Sequence, residues 1–490
     1  EVRVLLADTP FAHAPVVPVA APRGDGIAEL RAVLVDALRE AQPRAAGDLF
    51  RMPVDRVFTV RGTGTVVTGT VWSGTLARDA EVRLLPSGRT ARVRGVQNHG
   101  QATDRILPGQ RAAIALVGVD VADVARGDVV VADGAWQAST VLRADLALLD
   151  DAPRALGPRT AVRLHLGTAE VGARVVAADG SMEPGQYRPV RLMLDAPVVA
   201  RAGDRFVLRS ASPLATIGGG VISDPHAARR SRPFAETGLD AAARLATLLR
   251  EAGVQGLAAG SLAIRLGVMP TQVELVLRAA EAVLPVADRV IAAGLLDELE
   301  GRLVAELDGY HRDNPLAPAA PVHEIRARLG VPAWVADELV GRAVGAGDAE
   351  IEGAGIRRTG WKPALSDAQS RLLIRLLERL SAAGKEPPSV PELEGEFGSE
   401  SGPLLRHAAR AGSVVQVELD RYYASGEFDQ ILARIETLMA GRDEVSPAEL
   451  REGVGLSRKY LIPFLEYLDR EGYTVRLASG RRWAGRGRRA

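Results

Sequence analysis

At 490 residues the chain is too long for one hydrophobic core, and at roughly 100 to 200 residues per domain it predicts several units. A composition of 47% hydrophobic and 25% charged residues excludes a disordered chain, and no apolar run approaches the roughly 20 residues of a membrane-spanning helix. Cysteine is absent, which excludes disulfides and thiolate metal sites, and a net charge of +0 excludes a basic coat over the whole molecule. Any footprint for nucleic acid must therefore be local. The seven histidines are scattered without the close pairing that zinc sites use.

The first residue is Glu1, and the opening lacks the basic and apolar pattern of a signal peptide, so a fragment of a cytoplasmic protein is expected. Residues 14–21 (APVVPVAA) predict a buried strand, Gly24-Asp25-Gly26 a turn, and Ile27, Leu30, Val33, Leu34 and Leu38 a helix. From Asp55 to Gly74 the run DRVFTVRGTGTVVTGTVWSG alternates Val, Thr and Phe with glycines, the pattern of a tightly turning hairpin with one buried face. Gly62-Thr63-Gly64 and Gly218-Gly219-Gly220 lie in strand-like sequence with no amphipathic helix following, so a bulge or a close backbone approach is expected rather than a phosphate cradle. The hairpin from Asp55 to Gly74 reads as part of a β-barrel, and a second barrel is expected from Gln137 to Asp224. No GxxxxGK[ST] loop occurs, since Gly384-Lys385 is followed by Glu386, and no NKxD occurs either.

Past Asp224 the composition turns to Ala, Leu, Arg and Glu at helical spacing. A short helix, a Gly turn, a longer helix and a hairpin recur, with turns at Gly267, Gly330, Gly398 and Gly455, spaced by 63, 68 and 57 residues. That period suits winged-helix modules. In the last of them Ser446, Pro447 and Glu449 read as N-cap, first-turn proline and capping-box acid, and Ser457 as the cap of the next helix. Leu461, Phe464, Leu465 and Leu468 form its buried stripe, Pro463 should distort its first turn, and Arg458 and Lys459 are left at the exposed N-terminal end. Tyr473–Leu477 and the residues from Arg481 read as the wing. Residues 454–490 hold nine basic side chains (Arg458, Lys459, Arg470, Arg476, Arg481, Arg482, Arg486, Arg488, Arg489) against three acidic ones.

The stretch from Asp55 to Gly74 resembles the second domain of the elongation factor Tu superfamily, and Ala202 to Ile222 resembles its third domain. Together with GVGLSRKYLIPFLEYLDREGYTVRLASGRRW (Gly453 to Trp483), these segments resemble the bacterial selenocysteine-specific elongation factors over essentially the whole chain. The resemblance implies a multidomain β + α fold. A C-terminal remnant of an α/β GTPase domain (1–45) would precede two small translation-factor β-barrels (46–136 and 137–230). Four tandem winged-helix modules would follow, at 235–296, 297–362, 363–427 and 428–490. It implies a factor, a monomer without membrane contact, that brings selenocysteinyl-tRNA to the ribosome at UGA codons and is tethered to the mRNA selenocysteine insertion hairpin. GTP or GDP with Mg²⁺ would serve the full-length factor, with no cofactor in this chain and no GTP hydrolysis by it alone.

The family's pocket arginines match Arg56 and Arg111, with Asp55 orienting one guanidinium and His99 beside them. A selenol is more acidic than a thiol, so fixed guanidinium groups would favour its selenolate over neutral serine. An ordinary Asp–Arg pair at a barrel rim, and a loop histidine with a structural hydrogen bond, remain the competing readings. Arg209 is the candidate tRNA-stem contact, against a strand-edge arginine on a solvated face. Ser457, Arg458, Lys459, Tyr460, Arg476, Arg481 and Arg482 are the candidates for the mRNA hairpin, with Gly480 approaching the RNA backbone and Tyr460 stacking on a base or packing in the core. Arg406 and Arg410 form the fallback surface. The alternative function is a multi-winged-helix DNA-binding regulator with a vestigial barrel.

Overall fold

The computed structural model describes residues 1–485 except 8, 10, 42–44, 159, 213 and 281–282, so Arg486, Arg488 and Arg489 of the basic end lie outside the described residues. Contacts divide the chain into two compact units, Glu1–Leu295 and Leu296–Ala490.

The first unit opens with helices α1 (Val2–Leu6) and α2 (Ile27–Glu40). The helical spacing of α2 was legible, yet none of its residues is buried, and Leu34 and Leu38 stand 53% and 73% exposed. The strand expected at residues 14–21 does not form. Pro15 and Pro18 remove backbone donors, and the described residues offer only one isolated bridge, Ala20 to Asp25, so no ladder can be built.

The first barrel is made by β1 (Arg51–Val60), β2 (Gly64–Thr70), β4 (Glu81–Leu85), β5 (Arg89–Asn98), β6 (Gln101–Thr103), β8 (Arg111–Val117) and β9 (Val129–Val131), with β3 (Leu76–Ala77) and β7 (Arg105–Ile106) paired in a separate two-stranded sheet. Its sheet runs β4-β9-β1-β2-β8-β5-β6 and closes through β4–β5. Met52, Val54, Val67, Val93, Ile114 and Val130 point inward with no exposed surface. Gly62 and Gly64 are neither a bulge nor a close approach: they carry φ of 80° in the β1–β2 turn and 95° at the first residue of β2, a conformation that side chains resist.

The second barrel is closed in the order β10-β13-β12-β11-β14-β15, from β10 (Ala138–Leu148), β11 (Ala161–Leu166), β12 (Ala169–Ala177), β13 (Tyr187–Val199), β14 (Arg205–Ser210) and β15 (Thr216–Asp224). Here the glycine run is a close approach. A Cβ on Gly218 would fall 2.5 Å from the Ala147 carbonyl oxygen, and one on Gly220 1.9 Å from that of Asp145.

Buried ion pairs join the parts of this unit. Arg51 of β1 donates to both carboxylate oxygens of Asp204 at 2.6 and 2.5 Å, with its guanidinium 4.9 and 5.0 Å from the ring centroids of Trp72 and Trp136. Arg143 and Arg265 meet on the fully buried Asp224 at 3.6 and 2.9 Å. The latter contact attaches helices α3 (Ala241–Ala252), α4 (Leu262–Leu266) and α5 (Val273–Ala279), with the sheet β16 (Leu257–Ala258), β17 (Val283–Val286) and β18 (Arg289–Ala292), to the second barrel.

The second unit begins in α6 (Ala293–Asp313) and repeats helices and hairpins. Helices α7 (Val322–Leu329) and α8 (Ala333–Ala346) go with β19 (Ala320–Pro321), β20 (Ala349–Glu352) and β21 (Gly355–Arg358). Helices α9 (Asp367–Ala383), α10 (Val390–Phe397) and α11 (Ser401–Arg410) go with β22 (Val414–Glu418) and β23 (Arg421–Ala424). Finally α12 (Ser425–Met439), α13 (Pro447–Val454) and α14 (Arg458–Arg470) go with β24 (Thr474–Arg476) and β25 (Arg481–Trp483). Three of the four expected turn glycines, Gly267, Gly330 and Gly455, end their helices in the left-handed conformation, while Gly398 is extended in ψ at 168°. In α14 Leu461, Phe464, Leu465 and Leu468 are buried as the spacing requires, and Pro463 is accommodated without interrupting the helix.

Candidate functional site

At the rim of the first barrel, β1 bulges between Val54 and Arg56, which turns Asp55 toward its neighbours. Arg111 opens β8 opposite Thr70, and its guanidinium grips Asp55 with two hydrogen bonds of 2.5 and 3.1 Å. The Thr68 hydroxyl donates to the same carboxylate at 2.7 Å. Burial works to raise the Asp55 carboxyl, but the hydrogen bonds from Arg111 and Thr68 and the charges of Arg111 and Arg56 outweigh it and hold the group below the usual range. The bond to Asp55 likewise raises Arg111. Asp55 thus orients Arg111 rather than the adjacent Arg56, whose exposed guanidinium makes no ion pair among the described residues.

His99 sits at the same end of the sheet. Asn98 pairs with Ala112, so His99 is next to the position of Arg111, in a two-residue turn with Gly100. Both turn residues have positive φ, 50° and 77°, the geometry of a type I′ hairpin. Asp55 is thus bonded to one guanidinium and within electrostatic reach of a second, with His99 in the turn at the end of the neighbouring strand.

Arg209 lies half-buried on β14 of the second barrel, and its Nε has no hydrogen-bond partner. Directly across the strand pair stands Arg163 of β11, which sequence reading missed. Arg163 already has an acidic neighbour, Glu170 of β12 at 3.6 Å, which offsets part of the like-charge repulsion across the pair. The alternation AVRLHL puts Arg163 outward with His165, and that periodicity was the signal available for it.

In the last helical unit the expected capping box forms, with Ser446 Oγ accepting from the Glu449 amide at 3.3 Å and a Glu449 oxygen accepting from the Ser446 amide at 2.9 Å. Ser457 occupies the N-cap of α14 but its hydroxyl makes no capping bond. Ser457, Arg458 and Lys459 are all exposed there, and Arg476 and Arg482 are exposed on the wing. Arg481 is not available for RNA. It is 4% exposed and donates from Nε to Asp469 at 2.9 Å, because the register pairing Thr474 with Trp483 turns it inward. Gly480 is also internal, since a Cβ there would fall 2.4 Å from the Val445 carbonyl oxygen. Tyr460 packs partly against the core, with the Arg421 guanidinium 4.7 Å over its ring. Arg406 and Arg410 line a cavity of about 350 Å³ with Asp313 and Glu400, and Arg410 donates to the Leu316 carbonyl at 3.2 Å. Among the described residues no group of three or more His, Cys, Asp or Glu is placed to hold a metal ion.

Three family models match this chain: "Elongation factor Tu domain 2" over residues 64–131, "Selenocysteine-specific elongation factor, beta-barrel domain" over 143–229, and "Elongation factor SelB, winged helix" over 437–483. The selenocysteine-specific elongation factor of Desulfomicrobium baculatum is 33% identical over 98% of this chain and 79% of its own length. That of Escherichia coli (strain K12) is 28% identical over 97% and 77%. A crystal structure of bacterial selenocysteine-specific elongation factor EF-Sec has the same fold, with a TM-score of 0.65 at 20% identity, over 98% of this chain and 77% of that one. The chain belongs to the selenocysteine-specific elongation factor family.

Proposed function

We propose that the chain is the tRNA-delivering and message-tethering part of an elongation factor that brings selenocysteinyl-tRNA to the ribosome at UGA codons. The observation that carries this is the rim cluster, where Asp55 fixes Arg111 in place and leaves Arg56 free. An anionic selenolate gains from both guanidinium groups, whereas a neutral seryl hydroxyl gains little. His99 borders the pocket, and Arg209 with Arg163 contacts the tRNA stem through phosphates.

The helical units at 235–296, 297–362, 363–427 and 428–490 act as winged helices. The last one grips the mRNA insertion hairpin through Ser457, Arg458, Lys459, Arg476 and Arg482, on backbone phosphates and unstacked loop bases, because A-form grooves keep a helix from base edges. The factor works as a cytoplasmic monomer. Its family implies GTP or GDP with Mg²⁺, but the residues of this chain do not fit them: no glycine-rich loop with its lysine is present to cradle phosphates.

The test uses the full-length factor and compares selenocysteinyl-tRNA with seryl-tRNA. Arg56→Ala should weaken the selenocysteinyl form by about tenfold, the scale of one charge-assisted hydrogen bond, and the seryl form far less. Equal losses would reduce the cluster to a rim ion pair.

A further inference from the structure

The turn that leads into α14 is held from the preceding helical unit. Lys385, between α9 and α10, donates from Nζ to the carbonyl of Val454 at 2.7 Å, and a Cβ on Gly455 would lie 3.9 Å from the same ammonium. Arg421, the first residue of β23, covers one face of Tyr460, while Lys459 Nζ lies 5.4 Å from that ring. Below these contacts the two units share one core. Val417 and Tyr423 pack with Phe428, Ile431, Leu461 and Phe464, and the rings of Tyr423 and Phe464 meet edge to face at 5.4 Å. Helix α12 starts at Ser425 directly after β23 ends at Ala424, so no linker separates them.

Composition points to the same spot. Of the 61 Lys and Arg residues only three are lysine, and two of those, Lys385 and Lys459, flank one turn from different units. Lys385 is exposed. The bond to Val454 uses one of three ammonium donors, so two remain for solvent or an anion next to Ser457 and Arg458.

We propose that Lys385 belongs to the RNA-binding surface: it contacts a phosphate of the hairpin held by the last unit and, through the Val454 carbonyl, positions the turn that presents Arg458 and Lys459. The surface thus spans residues of two helical units. This rests on the reading of the last unit as an RNA-binding module.

The experiment uses the whole chain and a fluorescently labelled RNA stem-loop taken from downstream of an in-frame UGA codon, titrated at several salt concentrations, with the thermal midpoint recorded for every variant. Lys385→Met keeps the aliphatic stem and removes the charge. It should weaken binding about tenfold and lower the slope of log K against log salt by roughly 0.7 to 0.9, while Lys385→Arg restores the slope. A residue that only braces the fold would lower the midpoint and leave the slope at its wild-type value, and that result overturns the proposal. Arg458→Ala and Lys459→Ala run alongside. If they reduce binding and Lys385→Met does not, this inference alone falls; if none of the three matters, the RNA-binding reading of the last unit falls with it.

Discussion

Asp55 decides how the two rim arginines differ. Its carboxylate is hydrogen-bonded to Arg111 and feels Arg56 only through space, and Arg56 has no ion pair among the described residues, so the two positions should not respond alike to truncation. Removing Arg56 subtracts one cation. Removing Arg111 subtracts one cation and also leaves the Asp55 carboxylate without its main partner, which at the proposed pocket would add repulsion for a selenolate. In the full-length factor Arg111→Ala should therefore cost more selenocysteinyl-tRNA affinity than Arg56→Ala, by a further factor of several up to about tenfold. The double variant Asp55→Ala with Arg111→Ala should recover part of that loss. Binding titrations of the three variants check this, and a double variant no better than Arg111→Ala would show that Asp55 does not act through charge. The resemblance to the family grouped Asp55 and Arg56 with Arg111, 56 residues from Asp55 in the chain, but left open which arginine the carboxylate would choose. That choice depends on the bulge at Val54/Arg56 and on the β2–β8 register, and neither is a local property of the chain.

At the level of elements, the last wing separates a structural arginine from an exposed one. Arg481→Ala breaks a sheltered pair with Asp469 and should lower the thermal midpoint of the last unit, at a cost of about 1.5 to 3 kcal/mol. Arg482 is exposed, so Arg482→Ala should weaken RNA binding and lower its salt slope by roughly 0.7 to 0.9 without moving that midpoint. Calorimetry and binding on the same variants check the split. The start of α13 makes a pH prediction. Hydrogen bonds from Arg442, then from the Ser446 amide and hydroxyl, pull the exposed Glu449 carboxyl down to about 2. A carboxylate lowered on folding contributes stability above its ordinary value near 4.5 and loses it as pH falls toward 2. Carbon NMR should therefore find Glu449 ionised at pH 3, and Arg442→Ala should move its titration up. The capping box, the stripe Leu461/Phe464/Leu465/Leu468 and the β1–β2 hairpin were all legible because period and spacing are local signals. The inward turn of Arg481 was not, since a three-residue hairpin takes its register from Asp469 and Val445 rather than from its own alternation. The strand expected at 14–21 failed for a similar reason: apolar residues specify a strand only where neighbours complete the ladder.

On the scale of the first compact unit, two β-barrels and a helical body are fastened by charges that have little access to water. Arg51 and Asp204 are 6% and 8% exposed, bridge the two barrels, and have two indole rings closing over the guanidinium. Asp204 also accepts from the Arg201 amide at 2.7 Å, and Arg201 reaches Asp48 at 2.5 Å. Nearby, Ile264 of α4 joins Leu85, Val129, Val131, Trp136 and Val199 in one apolar cluster, so both barrels and the first helical body meet at a single point. A buried pair of this kind adds little over a well-packed apolar substitute, but losing one partner leaves the other charge desolvated and alone. Asp204→Ala should thus destabilise the unit by about 3 to 5 kcal/mol, whereas replacing Arg51 and Asp204 together by apolar residues of similar volume should cost much less. Calorimetry of the chain should show one cooperative transition for residues 1–295 in the wild type, and in Asp204→Ala a separate, earlier transition as the first barrel loosens from the second. A single undivided transition shifted by less than a degree would mean that the apolar cluster around Trp136, and not the ion pair, holds the barrels together.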